Sequence, residues 1–386
     1  MSKRKICCFC ERWASGGIES FLYNILQQMD LDQIEIDIVA AELNRNDLTA
    51  QLESKGVQFV QLSGSLHNLP ANHRMFRRLL RQRQYVAVHL HIYQGLSLYY
   101  CRIARQEGVP VRIAHSHNEA LRKSNTRAIK MLLHRFGRRC FTADATHLWA
   151  CSQAAAQFLY APSVLEQNGF TFIPNGIDTD RFRFKSEVRQ TIRTELGLEN
   201  CLVLGNVGRL CSQKNQIFLL EVFAQLIKIQ PRSRLLLVGD GDSRSMLEQR
   251  AVELGIRAQV IFYGRSEKVE QLLWAMDVFA LPSLFEGLSL AAVEAQAAGL
   301  PILCAQGLSE EVKLTANLRF LPLDAGASIW AEAVLSMASQ ENDRAHCAQV
   351  VKSAGFEASA VAQYITDTYL GRKNAAAKDF NHRSNL

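Results

Sequence analysis

CLVLGNVGRLCSQKNQIFLLEVFAQLIKIQPRSRLLLVGDG, residues 201–241, holds one full cycle of strand, loop, helix and strand. CLVLGNVG is a short apolar run of strand type. QIFLLEVFAQLIKI is long enough for a helix, and RLLLVGDG returns to a strand that ends in a glycine turn. The alternation continues downstream through SMLEQRAVELG, VIFYG, DVFALP and PILCA. Upstream it runs through KICCFC, IEIDIVA, VQFVQL, YVAVHLHI, VRIAHSH, HLWACS and FTFIPN, with helical stretches such as GIESFLYNILQQM and LYYCRIARQEG between them. Strands that alternate with helices specify parallel sheets with helices packed on their faces. The pattern restarts after PNGIDTDRF (174–182), where Pro174 and Gly176 punctuate the chain. An α/β protein of two doubly wound domains is expected, residues 1–175 and 176–370, followed by a polar tail, 371–386.

The length, 386 residues, suits two cores. With 48% hydrophobic and 21% charged residues the composition is that of a globular protein. No apolar run reaches the roughly 18 residues of a spanning helix, and KICCFC is too short for a signal core. A protein made and kept in the cytosol is expected. Its ten cysteines are then reduced thiols, and with no zinc spacing they read as small core hydrophobes.

Ligands of open α/β sheets bind at the carboxyl ends of the strands, so the loops there carry the chemistry. FEGLSLAAVEAQAAGLP (285–301) follows the strand DVFALP and starts a helix near Gly287 to Ser289. A helix start offers free N–H groups to an anion. Glu286 and Glu294 are eight residues apart, roughly 12 Å along a helix. That matches a nucleotide-diphosphate sugar, with one carboxylate on sugar hydroxyls and the other on ribose. The plainer alternative is two solvated glutamates. GNVGRLCSQKN puts Arg209 and Lys214 in one loop, where two cations could clamp a diphosphate or simply be solvated. Gly239 and Gly241 in VGDGD, and Gly16 and Gly17 in ERWASGGIESF, permit close approach of a ligand. No GxGxxG occurs, which argues against a dinucleotide oxidoreductase.

HLHIY and AHSHN end two neighbouring strands with His89, His91, His115 and His117. Alternation is expected to point only one of each pair to a given face. Structural histidines, a hydrogen-bonding histidine at a cleft (best His117) and a metal cluster are the three readings; the last lacks a carboxylate or cysteine at ligand spacing.

Together EGLSLAAVEAQAAGLP, VGRLCSQKN, LLLVGDG with FYG downstream, IPNGID and GGIESF resemble the retaining GT-B glycosyltransferases of family 4, over the chain to about residue 370. IAHSHN and SEEVKLT are most similar to the branch that builds bacterial capsular and exopolysaccharides. The resemblance implies a GT-B fold, two Rossmann-like domains facing across a cleft. It implies a hexosyl transferase that needs no cofactor, drawing on a nucleotide-diphosphate sugar, with UDP as the expected nucleotide. The acceptor would be a glycan or a polyprenyl-linked oligosaccharide. Catalytic roles would fall to Arg209, Lys214, Glu286 and His117. Donor binding would fall to Gly16, Gly17, Gly239, Arg265, Leu288, Ser289, Leu290 and Glu294. Arg265 marks where the backbone meets the base, and Leu288 to Leu290 offer amides to the diphosphate. With no acidic pair expected at the donor loops, no metal is expected. QGLSEEV replaces the family's glycine pair and Pro-Glu after GLPILCA. A sugar-nucleotide epimerase of the same fold is the alternative.

Net charge is +7, yet residues 67–139 hold fifteen Lys+Arg against two acids, 15 − 2 = +13. Within RKSNTRAIKMLLHRFGRR (122–139), Ile129, Leu132, Leu133 and Phe136 line one helical face among Lys123, Arg127, Lys130, Arg135 and Arg138; HRMFRRLLRQRQ (73–84) has a similar pattern. An anionic membrane surface is the expected partner, placing the protein at the inner face of the cell membrane. Alternatively the apolar faces pack on the sheet and the cations are solvated. Nucleic acid is not expected, since no aromatic platform accompanies the charge.

Overall fold

The computed structural model describes residues 3–14, 16–119, 121, 126–286, 288–340 and 343–372. The chain divides into two compact units, one of residues 1–176 joined by the chain from 358 onward, the other Ile177–Glu357.

The first unit has a seven-stranded sheet: β1 (Arg4–Trp13), β2 (Ile34–Leu43), β3 (Gln58–Gln61), β4 (Ala87–Ile92), β5 (Val111–Ser116), β6 (His147–Ala150) and β7 (Thr171–Phe172). Their order is β3-β2-β1-β4-β5-β6-β7, with every pairing parallel. β1 is central, and Ile6 to Cys10 are buried, as strands covered on both faces must be. The second unit repeats the plan with β8 (Leu202–Val207), β9 (Ser233–Val238), β10 (Val260–Gly264), β11 (Val278–Leu281), β12 (Ile302–Ala305) and β13 (Leu318–Leu321), ordered β10-β9-β8-β11-β12-β13 and parallel. The strand order reverses between β1 and β4 and between β8 and β11. At such a reversal the flanking loops diverge and leave room for a ligand.

Two features differ from the sequence reading, and a third divides it. The edge strand β13 goes unnamed there, being four residues long with Arg319 exposed. The helix Ala358–Leu370, assigned to the second domain, packs in the first unit. Val361, Ala362, Tyr364, Ile365 and Tyr369 share one core with Ile6, Cys8, Phe21 and Leu22, so its apolar face closes the sheet over β1. The third concerns the basic segment. The helix Arg127–Phe141 buries only His134, Gly137 and Phe141. Ile129, Leu132, Leu133 and Phe136 are 64%, 68%, 42% and 55% exposed, so this face does not pack on the sheet. The helix Leu69–Arg83 does pack, through Phe76 and Leu80. Much of the charge excess is neutralised internally. Arg77 and Arg81 pair with Glu107, Arg83 with Glu35 and Asp37, and Arg102 and Arg105 with Asp144. Lys123, Gly287 and residues 373–386 of the tail lie outside the described residues. All ten cysteines are free thiols, seven of them buried.

Candidate functional site

In the second unit, the loops after β8 and β11 flank the reversal and are tied to one another. Leu284 N donates to Gln213 O at 2.9 Å, Gln213 Nε2 to Phe285 O at 2.9 Å, and Asn215 Nδ2 to Pro282 O at 3.1 Å. Asn215 takes a left-handed turn (φ 53°), which asparagine tolerates, and turns the chain into the helix Gln216–Ile229. This clip brings Lys214 Nζ to 2.5 Å from Glu286 Oε1, which also accepts Ser283 Oγ at 2.6 Å. The cation and the carboxylate are 17% and 9% exposed, so the pair is strengthened by partial desolvation.

The glycines beside this pair are sterically required. A Cβ on Gly239 would stand 2.1 Å from Gly208 O, and one on Gly241 2.3 Å from Leu210 O. Gly208 itself, at φ 154°, lies under the Lys214 stem. Gly239 N donates to Gly264 O at 2.8 Å and Leu210 N to Asp240 O at 3.0 Å, so the ends of β8, β9 and β10 form one compact floor. Arg209 and Arg265 project from it, exposed, with no side-chain partner among the described residues. Asp240-Gly241-Asp242 has the D-x-D spacing, which the sequence reading passed over. In the structure Asp240 Oδ1 accepts Gly241 N at 2.9 Å and stands 3.9 Å from Arg244, which commits it locally.

After β11 the helix Leu290–Ala297 begins with Ser289 as its N-cap. The Ser289 hydroxyl makes no capping bond and is buried without a partner among the described residues. The first-turn N–H groups therefore keep their positive field for another acceptor. Leu288 is buried and packs this start in place. Glu294 lies one turn further along, half-buried. Burial pushes its carboxyl up to about 7; Arg181 and Lys214 act against this and Glu270 with it.

In the first unit, Gly16 caps the helix Gly17–Gln28 in extended backbone. A Cβ there would meet Glu19 Oε2 at 2.8 Å, whereas one on Gly17 would meet nothing within 4 Å. Glu19 was missed from the sequence. It is buried, with Oε1 accepting Ala14 N at 2.9 Å and Oε2 unpartnered among the described residues. Its signal was an acid in the first turn behind a glycine pair. The histidine alternation must also be corrected, because residues two apart on a strand share a face. Accordingly His89 and His91 have ring centroids 4.0 Å apart, and so do His115 and His117. His91 Nδ1 and His117 Nε2 are 2.9 Å apart, and burial pushes His117 down to about 3, so its ring is neutral.

Lys214, Glu286, Gly239 and the Arg209 loop thus converge in one unit, with Glu294 on the adjoining helix; Gly16, Gly17 and His117 belong to the other. Two parallel α/β units of Rossmann strand order, one with a cation–carboxylate clip at its strand reversal, have the architecture of the GT-B fold. The chain belongs to glycosyltransferase family 4 and is a glycosyltransferase. The Glycosyltransferase Family 4 model matches residues 15–181 and the Glycosyl transferases group 1 model residues 188–352. The chain is 32% identical over 335 residues to the putative glycosyltransferase EpsF of Bacillus subtilis, covering 84% of this chain and 85% of EpsF. It is 30% identical over 235 residues, 58% of each chain, to an Escherichia coli UDP-Gal:alpha-D-GlcNAc-diphosphoundecaprenol alpha-1,3-galactosyltransferase. Among solved structures, Anabaena HepE in complex with UDP superposes with a TM-score of 0.76 at 21% identity, over 95% of this chain and 100% of that one.

Proposed function

We propose that this glycosyltransferase moves a sugar from a UDP-sugar, with retention, to a glycan or lipid-linked oligosaccharide during cell-surface polysaccharide synthesis. The Lys214–Glu286 pair beside the start of the helix Leu290–Ala297 carries the reading. In this reading Lys214, Arg209 and the amides of Leu288 to Leu290 receive the charge that gathers on the departing diphosphate. Glu286, already held by Ser283, turns its second oxygen to sugar hydroxyls. Arg265 marks the base, and Glu294 accepts from ribose. Gly16 and Gly17 give the donor and acceptor room, and neutral His117 hydrogen-bonds a sugar. The acceptor hydroxyl attacks on the face the diphosphate leaves, and its proton passes to a phosphate oxygen. No step is assigned to a metal ion. The UDP bound to HepE, and the diphosphoundecaprenol named for the galactosyltransferase, support the donor and acceptor classes. The Vi polysaccharide biosynthesis protein of Salmonella typhi, 34% identical over 142 residues, supports the pathway class.

Calorimetry with UDP, GDP and ADP tests the donor assignment. UDP is expected to bind most tightly, and Glu294 sets its pH dependence. A ribose-gripping carboxylate must be ionised, and the free carboxyl titrates near 7. Affinity should therefore rise roughly tenfold between about pH 6 and about pH 8, with proton release on binding. The same elevated value works oppositely on the fold. The folded carboxyl holds its proton more tightly than the open chain, so this stability term is lost as pH rises from the ordinary glutamate value of 4.5 through about 7. Glu294→Gln should bind UDP more weakly and keep only the nucleotide's own titration. An unchanged profile in that variant would remove Glu294 from the ribose. Conversion of the sugar nucleotide to its epimer without acceptor would replace transfer as the activity.

The exposed face of Arg127–Phe141 fits the anionic headgroup boundary of a leaflet, where such acceptors reside. No helix among the described residues is long and apolar enough to cross a membrane. Arg127, Lys130, Arg135 and Arg139 have no carboxylate partner among the described residues, whereas Arg138 donates to Tyr160 O and Gln157 O. At about 1 kcal/mol per cation, Arg127→Gln, Lys130→Gln and Arg135→Gln together should weaken co-sedimentation with anionic vesicles by about a hundredfold. Salt should do the same. Equal binding to neutral vesicles, or none at low salt, would refute a membrane surface.

A further inference from the structure

We propose that His91, His115 and His117, on β5 and its neighbour β4 and in the loop that follows, form a binding site for a divalent transition-metal ion of the zinc or cobalt class. One ring nitrogen from each lies within 4.8 Å of the others. The sheet register causes this: His91 pairs with His115, and His117 follows His115 by two residues on the same face.

The hydrogen bonds select which nitrogens are available. His115 Nδ1 is 3.1 Å from His89 Nε2, and His89 Nδ1 is 2.7 Å from the Tyr369 hydroxyl. His91 Nδ1 is 2.9 Å from His117 Nε2. A neutral imidazole has one N–H and one lone pair. In the tautomers where His115 and His91 donate through Nδ1–H, their Nε2 atoms carry the lone pairs, and His117, whose Nε2 then accepts from His91, joins a metal ion by giving up that bond. The Nε2 atoms of His91 and His115 are buried and have no partner among the described residues. Two unsatisfied acceptors in one core cluster are costly to bury, and a cation satisfies both at once. Neutral imidazoles suit zinc, cobalt, nickel and copper, and partners on the far ring nitrogens orient such ligands. His117 is the half-buried member and opens the cluster to solvent.

A second candidate set, Cys8, His89 and His91, fits less well. His89 has both nitrogens engaged, and the Cys8 sulfur is in contact with the Tyr369 hydroxyl at 3.7 Å. His117 also has the sugar contact proposed above, so the measurement is bound metal, which reads this site without the transfer reaction. The full chain, stripped with chelator and dialysed, is titrated with Co2+ under visible absorption. It is then back-titrated with Zn2+, and the metal content is measured after gel filtration. One Co2+ per chain is expected, with the absorption of a low-symmetry nitrogen site, displaced by one Zn2+ that also raises the melting temperature. His91→Gln and His115→Gln should abolish the signal. Should those core variants fail to fold, His117→Gln at the open edge should still weaken Co2+ by at least about tenfold, the scale on which metal sites respond to lost partners. Metal at background level, or binding unchanged in His117→Gln, would overturn the site. Loss of binding in Cys8→Ala with binding kept in His115→Gln would also overturn it, in favour of the other set.

Discussion

Lys214→Ala is expected to lower turnover at saturating donor by about a hundred- to a thousandfold. Removing one preorganised donor to developing charge costs this much where the site excludes water. Lys214 is well placed for that role, because the clip between residues 213–215 and 282–285 fixes its ammonium beside Glu286. The clip also makes the substitution costly to the fold. With the ammonium gone, a nearly buried carboxylate keeps only Ser283 as a partner among the described residues, a situation that costs on the order of 3 kcal/mol. The melting temperature should therefore fall together with the rate. Lys214→Ala combined with Glu286→Gln separates the two effects: it should recover most of the lost stability and none of the rate. Near-normal turnover in Lys214→Ala would take the residue out of the chemistry.

Gly137→Ala is expected to destabilise the first unit by about 3 kcal/mol or more, seen as a melting-temperature drop of roughly 6–12 °C. At Gly137 the helix Arg127–Phe141 rests backbone to backbone on the 3-10 turn Gly95–Leu98. A Cβ there would stand 2.3 Å from Gly95 O and 2.5 Å from Leu96 N. Backbone atoms cannot rotate aside as a side chain does, so the helix must lift. Lifting breaks the bond from Gly95 N to His134 Nδ1 (2.9 Å) and strains that between His134 Nε2 and Phe158 O. Thermal unfolding followed by circular dichroism checks it; an unchanged midpoint would show that the helix is free to shift.

That crossing explains why the face of this helix was hard to read. An i, i+3, i+4, i+7 row of large apolar residues normally marks the buried side. Here the buried side is His134, Gly137 and Phe141, and the close backbone contact at its centre needs a glycine rather than a large apolar residue. The row Ile129, Leu132, Leu133 and Phe136 is visible in the sequence, but the side it faces depends on Gly95, more than thirty residues away. All strands but β13 were legible because each is a short apolar run closed by a turn residue; their order was not, since it depends on which distant strands pair. Lys214 and Glu286 were legible singly, by loop position and charge. Their bond was not, since they are 72 residues apart and meet only through the clip. The histidines were plainly visible, and only the geometry of alternation was misapplied to them. For Ala358–Leu370, its apolar periodicity would suit either unit, and only the three-dimensional core shows which one it completes.

The location of that last helix also fixes an order of events at the ribosome. The second unit, Ile177–Glu357, is an unbroken stretch and can close its core as soon as it has emerged. The first unit begins earlier yet finishes later, because Val361, Ile365 and Tyr369 are synthesised after everything else it contains. Until they arrive, the sheet around β1 lacks part of its cover, and Phe21, although it meets His91, His115 and His117, lacks the rest of its core. The half of the chain that is translated first is thus the half that matures last.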